Sequence, residues 1–82
     1  MTLSEVLDAL YDSEINFSIS CFWDNNIDVK LGDQMNGFQA EGNLETANDA
    51  ARWLDEQARK HYPTSKYATS KEPPSEAENG QR

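Results

Sequence analysis

The sequence predicts a small α+β domain, because its apolar residues recur with a helical period, then with a strand period, and then with a helical period again. A chain of 82 residues has room for a single domain with one core. The predicted order is helix, strand, strand, strand, helix, and this domain occupies residues 1–62. Residues 63–82 are predicted to form a disordered C-terminal tail, because they are polar and contain too few apolar residues to offset the entropy of ordering.

The first predicted helix runs from about Thr2 to Tyr11. Its apolar residues are three and four positions apart and therefore share one side of the helix: Leu3, Val6, Leu7 and Leu10. Thr2 and Glu5 have the spacing of a capping box, in which each side chain bonds the backbone N–H of the other residue. The polar side of the helix carries Asp8 and Asp12.

Two strands follow, with apolar residues at every second position. The predicted inner side of the first strand consists of Ile15, Phe17, Ile19, Cys21 and Trp23, and that of the second consists of Ile27, Val29 and Leu31. Residues 24–26 favour a turn, so we expect the two strands to be antiparallel neighbours. Phe22 breaks the alternation, and we expect it on the open face of the sheet.

The turn between the second and third strands has two interpretations. Gly32-Asp33 and Asn36-Gly37 are both suited to a two-residue hairpin. We prefer Asn36-Gly37, because it keeps Met35 in phase with Leu31, and we then interpret Gly32-Asp33 as a bulge. In that arrangement the inner side of the third strand carries Phe38 and Ala40.

The last predicted helix follows a third strand that ends near Gly42. Asn43 is its expected N-cap, and the helix runs to about Tyr62, before Pro63. Seven apolar residues share its inner side: Leu44, Ala47, Ala50, Ala51, Leu54, Ala58 and Tyr62. The exposed side is expected to carry ion pairs at four-residue spacing: Arg52–Glu56, Asp55–Arg59 and Glu56–Lys60.

Both helices have one apolar side, so we expect them to pack on one face of a three-stranded antiparallel sheet. This α-β-β-β-α order resembles the topology of the double-stranded RNA-binding domain. Such a domain places lysines at the start of its last helix, where they meet phosphates. This chain carries Glu45 and Asp49 there, and its nearest base is Arg52. We therefore predict that the protein does not bind nucleic acid directly.

The formal net charge of −8 lies entirely within the predicted domain, where residues 1–62 contain twelve acidic and four basic side chains. A surface this acidic repels phosphate backbones and anionic membranes, and it favours basic partners. No apolar run approaches the roughly 20 residues that span a bilayer. The first residues lack the pattern of a signal peptide, and the lone Cys21 suits a reducing compartment, so we expect a cytoplasmic protein.

The sequence lacks the residue sets that catalysis or metal binding requires. Asp24, Asn26 and Asp28 match three positions of an EF-hand loop. However, Val29 and Met35 stand where that loop needs glycine and glutamate. One cysteine and one histidine are too few for a zinc site, and no Ser/His/Asp set or glycine-rich phosphate loop is present. We expect no enzyme activity, no metal and no cofactor.

The predicted function is that of a non-catalytic protein-interaction module, with a basic protein or a second copy of the chain (a homodimer) as partner. Large exposed aromatic side chains concentrate binding energy. We expect Phe22 and Trp53 to be the exposed anchors, whereas Trp23 is expected in the core. The carboxylates expected to steer the partner are Asp8, Asp12, Asp24 and Asp28. The alternative function is an acidic nucleic-acid mimic that inhibits a DNA- or RNA-binding protein.

Several short motifs resemble a group of small uncharacterised bacterial or phage-derived proteins. These motifs are Phe22-Trp23-Asp24, Leu31-Gly32-Asp33 and Met35-Asn36-Gly37-Phe38, followed by an alanine-rich helix with Trp53-Leu54. The resemblance covers about residues 12–62 and implies a bacterial or phage origin with the α-β-β-β-α order. It carries no assigned activity, so it transfers no functional residue to this chain.

Overall fold

The computed structural model describes residues 1–69 of the chain. Its elements are, in chain order, α1 (Leu3–Asp12), β1 (Phe17–Cys21), β2 (Ile27–Asp33), β3 (Gly37–Leu44), α2 (Ala47–His61) and α3 (Lys66–Thr69). The strands form one antiparallel sheet in the order β1-β2-β3, and α1 and α2 share a single hydrophobic core with it. The predicted α+β class and the order α-β-β-β-α are confirmed.

Helix α1 begins with the predicted capping box. Thr2 Oγ1 accepts a hydrogen bond from the N–H of Glu5 at 3.2 Å, and Glu5 Oε1 accepts one from the N–H of Thr2 at 2.8 Å. The apolar side of the helix faces the core, where Val6 and Leu10 are buried. The start and the buried side of this helix therefore agree with the sequence pattern.

Helix α1 ends in a Schellman motif that the sequence pattern did not indicate. The N–H of Ile15 donates to the carbonyl of Leu10 at 3.0 Å, and the N–H of Glu14 donates to the carbonyl of Tyr11 at 3.1 Å. Glu14 adopts the left-handed conformation, with φ at 61°. Glycine is the usual residue at this position, which is why the motif is hard to recognise from a glutamate.

A Glu14→Gly substitution is expected to raise the free energy of unfolding by about 0.5–1 kcal/mol, because it removes the Cβ that makes a left-handed backbone costly. Urea denaturation followed by circular dichroism measures the change. Asp12→Gly is the matched control, since it places glycine inside the last helical turn and should destabilise by about 1 kcal/mol. Equal destabilisation by both substitutions would contradict the role of Glu14 in the motif.

The sheet has one apolar inner face, which packs against the helices, and one polar outer face. The register pairs Ile19 with Val29 and Val29 with Gly42, so alternate residues of all three strands lie on the inner side. Val29 and Leu31 of the central strand are completely buried. On the outer face the alternation places Ser18, Ser20, Asp28, Lys30, Glu41 and Asn43.

The turn between β2 and β3 differs from both predicted two-residue hairpins. Asp33 pairs with Gly37, so the turn consists of residues 34–36. Met35 lies at its tip and is 90% exposed, whereas we expected it in phase with the core. The prediction fails because the strands pair up to Asp33 and Gly37, which places Met35 inside the turn.

A bulge follows Leu31, beside Gly32 as predicted, but the extra residue lies on the opposite strand. Leu31 and Gly32 pair with β3 residues that are two positions apart, which leaves Gln39 unpaired. The bulge places Phe38 on the outer face, where the Lys30 ammonium lies 5.2 Å from the ring centroid. The prediction that Phe38 lies on the inner face is therefore wrong.

Helix α2 starts later than predicted. Its N-cap is Thr46, whose Oγ1 accepts a hydrogen bond from the N–H of Asp49 at 3.0 Å. The predicted N-cap, Asn43, belongs to β3 and pairs with Asp28, because the ladder continues beyond Gly42. The predicted inner side of the helix is confirmed in its central part, where the buried residues are Ala50, Ala51, Leu54 and Ala58.

Within residues 1–69, two ion pairs lie along α2. The predicted pair of Asp55 and Arg59 is present, with 3.1 Å between Oδ1 and Nε. Arg52 pairs with Asp49 at 3.0 Å rather than with Glu56. Exposed pairs of this kind contribute little to stability, so the apolar side of α2 accounts for most of its attachment.

Residues 66–69 form α3, although the sequence pattern assigned them to a disordered tail. Tyr67 is only 3% exposed and belongs to the core. Its hydroxyl donates to Asp55 Oδ1 at 2.6 Å, and the Arg59 guanidinium lies 5.2 Å from its ring centroid. The prediction of disorder is therefore wrong for residues 66–69, and the domain extends past residue 62. The rest of the predicted tail, residues 70–82, lies outside the described residues.

Candidate protein-interaction surface

The turn between β1 and β2, residues 22–26, forms what we term the hairpin end. The N–H of Asn25 donates to the carbonyl of Phe22 at 2.8 Å, and the N–H of Phe22 donates to the carbonyl of Asn26 at 3.2 Å. Asn26 adopts a left-handed backbone, with φ at 63°, which asparagine tolerates. These bonds close a tight turn with Trp23 and Asp24 at its tip.

Three consecutive side chains are exposed at this end of the sheet. Phe22 is 61% exposed and Trp23 is 94% exposed, and the preceding Cys21 is exposed as well. The predicted exposure of Phe22 is confirmed, whereas the predictions that Trp23 and Cys21 lie in the core are wrong. Strand β1 ends at Cys21, and the turn begins with the next residue. The alternation therefore stops before it reaches Trp23.

Asn43 of β3 holds the hairpin end in place. Its Nδ2 donates to Asp28 Oδ1 at 2.6 Å and to the carbonyl of Asn25 at 3.1 Å, while its Oδ1 accepts from Asn26 Nδ2 at 3.0 Å. These bonds connect the turn to a strand that is distant in sequence. A loop ordered in advance loses less entropy when a partner binds, so Trp23 is presented on a preorganised turn.

Trp53 packs against the sheet, whereas we expected it to be exposed. Its indole lies over Gly42 of β3, so close that a Cβ added at Gly42 would be 2.8 Å from a ring atom. The ring is partly buried and packs against the core. The expectation that Trp53 is an exposed aromatic residue is wrong, because the absent side chain of Gly42 provides the space that accommodates it.

The predicted carboxylates lie in two separate places. Asp24 and Asp28 lie at or next to the hairpin end, together with Phe22. Asp8 and Asp12 belong to α1, and Asp12 ends that helix near the start of β1, which is the opposite end of the strand. The two aromatic residues and four carboxylates predicted to bind a partner therefore do not form one surface. The structure brings together only Phe22, Asp24 and Asp28.

A hollow of about 500 Å³ lies where α1 leads into β1, and we term it the α1–β1 hollow. Its lining residues are Tyr11, Asp12, Glu14, Ile15 and Asn16. The Schellman motif shapes this junction, and Tyr11 is 79% exposed there. The hollow combines an aromatic wall with two carboxylates, so it suits an apolar group that carries a hydrogen-bond donor. The sequence pattern did not indicate it.

Asp33 organises the turn between β2 and β3. Its carboxylate accepts hydrogen bonds from the backbone N–H of Asn36 and from Asn16 Nδ2, each at 2.7 Å. These bonds hold the pKa of Asp33 below its usual range. Burial, together with the charge of Asp33, raises the pKa of Tyr62, which lines a neighbouring hollow of about 300 Å³. The hydrogen bonds of the Asp33 carboxylate to Asn16 and Asn36 therefore close the turn.

The part of the chain that the structure describes contains neither a metal-ligand cluster nor a helix that could cross a membrane. Within residues 1–69, no three His, Cys, Asp or Glu side chains converge in a way that could hold a metal ion. None of the helices in this range is both long and apolar enough to cross a membrane. The absence of enzyme activity, metal and cofactor stays a prediction from the sequence.

Comparisons with known proteins leave the surface to be interpreted from its own geometry. The sequence matches no protein-family model, and neither the curated proteins nor the solved structures contain a match. The resemblance to small bacterial and phage-derived proteins therefore stays a prediction. The fold and the surface define the class of protein, a small α+β domain with exposed aromatic side chains at its hairpin end.

Proposed function

We propose that this protein is a non-catalytic protein-interaction module that binds its partner through the hairpin end. The observation that carries the proposal is the 94% exposure of Trp23 beside an exposed Phe22. Adjacent exposed aromatic side chains are typical of interaction sites, and tryptophan is enriched among the residues that dominate binding energy. Trp23 takes the anchor role that the sequence pattern gave to Trp53, and Phe22 keeps its predicted role.

The proposed partner is a protein, with no direct role for nucleic acid or membrane. The net charge of −8 attracts and steers a basic protein, and Asp24 lies directly beside Trp23 in the turn. A second copy of the chain is the other candidate. We propose the cytoplasm as the location, because the lone Cys21 has no partner for an internal disulfide.

Mimicry of nucleic acid is the alternative, and the positions of the carboxylates support it less well. A duplex presents closely spaced charges along one continuous surface. Here Asp12 and Asp24 lie near opposite ends of β1, and the Asp28 carboxylate accepts a hydrogen bond from Asn43. Salt separates the two functions: a mimic loses its partner steeply as salt rises, whereas an aromatic interface does so only weakly.

Affinity capture from the source cell tests the proposal. Trp23→Ala is expected to lower the amount of captured partner at least about tenfold, since truncation of a central aromatic anchor costs 2 kcal/mol or more. Met35→Ala is the matched control, because Met35 is equally exposed but lies in the other turn. Asn43→Ala should give a smaller loss, since it loosens the turn and leaves Trp23 intact.

Unchanged capture by the variants of the hairpin end would contradict the proposal. If Trp23→Ala and Phe22→Ala both capture the same proteins as the wild type, in the same amounts, the hairpin end is not the interaction surface. Circular dichroism spectra of each variant confirm that the domain stays folded, as expected for substitutions at exposed positions.

A further inference from the structure

Strand β1 is an edge of the sheet, and its outward backbone groups have no hydrogen-bond partner within residues 1–69. The N–H of Gly32 donates to the carbonyl of Asn16, and the N–H of Phe22 donates to the carbonyl of Asn26. The even-numbered residues of this segment therefore bond to β2. In an antiparallel ladder the residues between them point their N–H and C=O groups away. These outward residues are Phe17, Ile19 and Cys21.

The β1 edge is uncharged, in contrast to the rest of the domain. No charged residue occurs from Ile15 to Trp23, although the chain carries a net charge of −8. The other edge strand, β3, contains Glu41 and the bulge at Gln39, which are two common protections against strand addition. Of the two edges, β1 is therefore the one that is open to a further strand and that a second acidic copy can approach.

We propose that a second copy of this chain pairs with β1, antiparallel and edge to edge, about a two-fold axis at Ile19. In this register Ile19 lies opposite its own counterpart, and Phe17 lies opposite Cys21 of the second copy. Each of these pairs then exchanges both backbone hydrogen bonds. The contact is isologous, as closed dimers require, and it joins the two sheets into one. This inference rests on the proposed function and names its partner.

The same axis brings the hairpin end of each copy to the α1–β1 hollow of the other. Ile15 and Trp23 lie two residues beyond the two ends of β1, so the axis brings Trp23 of the second copy close to Ile15. Ile15 lines the hollow, with the Tyr11 ring as one wall. The indole N–H of an entering Trp23 finds the carboxylates of Asp12 and Glu14 as acceptors. An exposed aromatic residue and a hollow that suits it thus occur at positions that the axis exchanges.

Sedimentation velocity and light scattering on the full chain, from micromolar to millimolar concentration, test the dimer. The wild type is expected to dimerise, and Trp23→Ala is expected to raise the dissociation constant about 30-fold or more. Met35→Ala should leave it unchanged. Dimerisation should strengthen as salt rises, because salt screens the repulsion between two acidic copies, whereas salt weakens the binding of a basic protein.

A cross-linking experiment tests the register. Residues that face each other across the axis in a hydrogen-bonded pair have Cα atoms about 5.5 Å apart, which is within the range for a disulfide. An Ile19→Cys substitution in a Cys21→Ser background should therefore give a cross-linked dimer on mild oxidation. Ser20→Cys in the same background is the matched control and should stay uncross-linked, because its counterpart is displaced along the strand.

A proline substitution tests the outward backbone bonds. Cys21→Pro removes an outward N–H and leaves the bonds to β2 intact, so it should raise the dissociation constant about tenfold. Cys21→Ser keeps the N–H and should dimerise like the wild type. Thermal unfolding of both variants shows whether the monomer fold is retained. Trp23→Ala tests the dimer interface independently, at a position that is not needed for folding.

Two results would overturn the inference, and each can be told apart from a failure of the proposed function. A wild type that stays monomeric at every concentration and salt excludes the second copy as partner. In that case a loss of captured protein with Trp23→Ala still supports the interaction module. An unchanged capture rejects both the dimer and the interaction module. A wild-type dimer that resists Trp23→Ala and Cys21→Pro, and that cross-links through Ser20→Cys instead of Ile19→Cys, overturns the β1 interface.

Discussion

Replacing Tyr67 with alanine is expected to lower the free energy of unfolding by about 3 kcal/mol, because it opens a cavity where a large aromatic side chain is buried. Tyr67 is 3% exposed and packs with the core. In a marginally stable small domain, such a loss lowers the Tm by on the order of 15 °C. Thermal and urea denaturation of the wild type and Tyr67→Ala, followed by circular dichroism, measure both quantities.

Tyr67→Phe is the matched control for this prediction. It keeps the ring in the core and removes only the hydroxyl that donates to Asp55, so it should cost about 1 kcal/mol. If Tyr67→Ala is as stable as the wild type, residues 66–69 do not belong to the folded domain. The original boundary at residue 62 would then be correct.

The pH dependence of stability provides a second readout of the same contact. Burial, and then the hydrogen bond to Asp55, raise the pKa of Tyr67 well above its ordinary value of 10.0. When folding raises the pKa of a group, the group contributes its full stabilisation at pH values below its pKa in the unfolded chain. This stabilisation is lost as the pH rises above that value. The wild type should therefore lose stability above about pH 10, and Tyr67→Phe should lack this part of the loss.

Gly32→Ala is the second substitution with a large expected effect, about 3 kcal/mol of destabilisation. Gly32 has a φ of 105°, a conformation that residues with a Cβ rarely adopt. A Cβ at this position would also lie 2.7 Å from the carbonyl oxygen of Gly37, which is a backbone atom and cannot rotate away. Urea denaturation of the variant measures the combined cost of backbone strain and steric clash.

Gly37→Ala separates these two contributions. Gly37 also has a positive φ, at 93°, but a Cβ there would meet no atom within 4 Å. It should therefore destabilise by only about 1–2 kcal/mol, which is the cost of the backbone conformation alone. An equal loss of unfolding free energy in the two variants would show that the close approach of β3 to Gly32 adds nothing to the cost of the Gly32→Ala substitution. A larger loss for Gly32→Ala supports the observed pairing across the bulge.

The candidate site could be predicted only in part. The exposure of Phe22 is predicted by its break in the apolar alternation, and the turn is predicted by its Asp and Asn residues, since both depend on neighbours in the chain. The bonds of Asn43 could not be predicted, because they require the register of β3 against β2. The α1–β1 hollow was missed because its Schellman motif carries Glu14, where a glycine would have signalled the helix end.

The two tryptophans show how a small error in an element boundary reverses the position of a side chain. Two residues of additional strand would place Trp23 on the inner face of the sheet, but the strand ends at Cys21 and the turn exposes the indole. A shift of one residue in a strand moves every side chain to the other face, so local pattern alone cannot decide such cases. Trp53 depends on Gly42, which lies on a different element.

Local sequence patterns predict the class of fold, the order of the main elements, the capping box at Thr2 and the buried side of α2. All of these depend on interactions between residues a few positions apart, which the periods of helices and strands encode directly. Contacts between distant segments place Tyr67 in the core and Trp53 on Gly42, and the end of β1 leaves Trp23 exposed. These positions depend on which distant segments meet, and that is set by strand ends, register and the space that neighbouring residues leave.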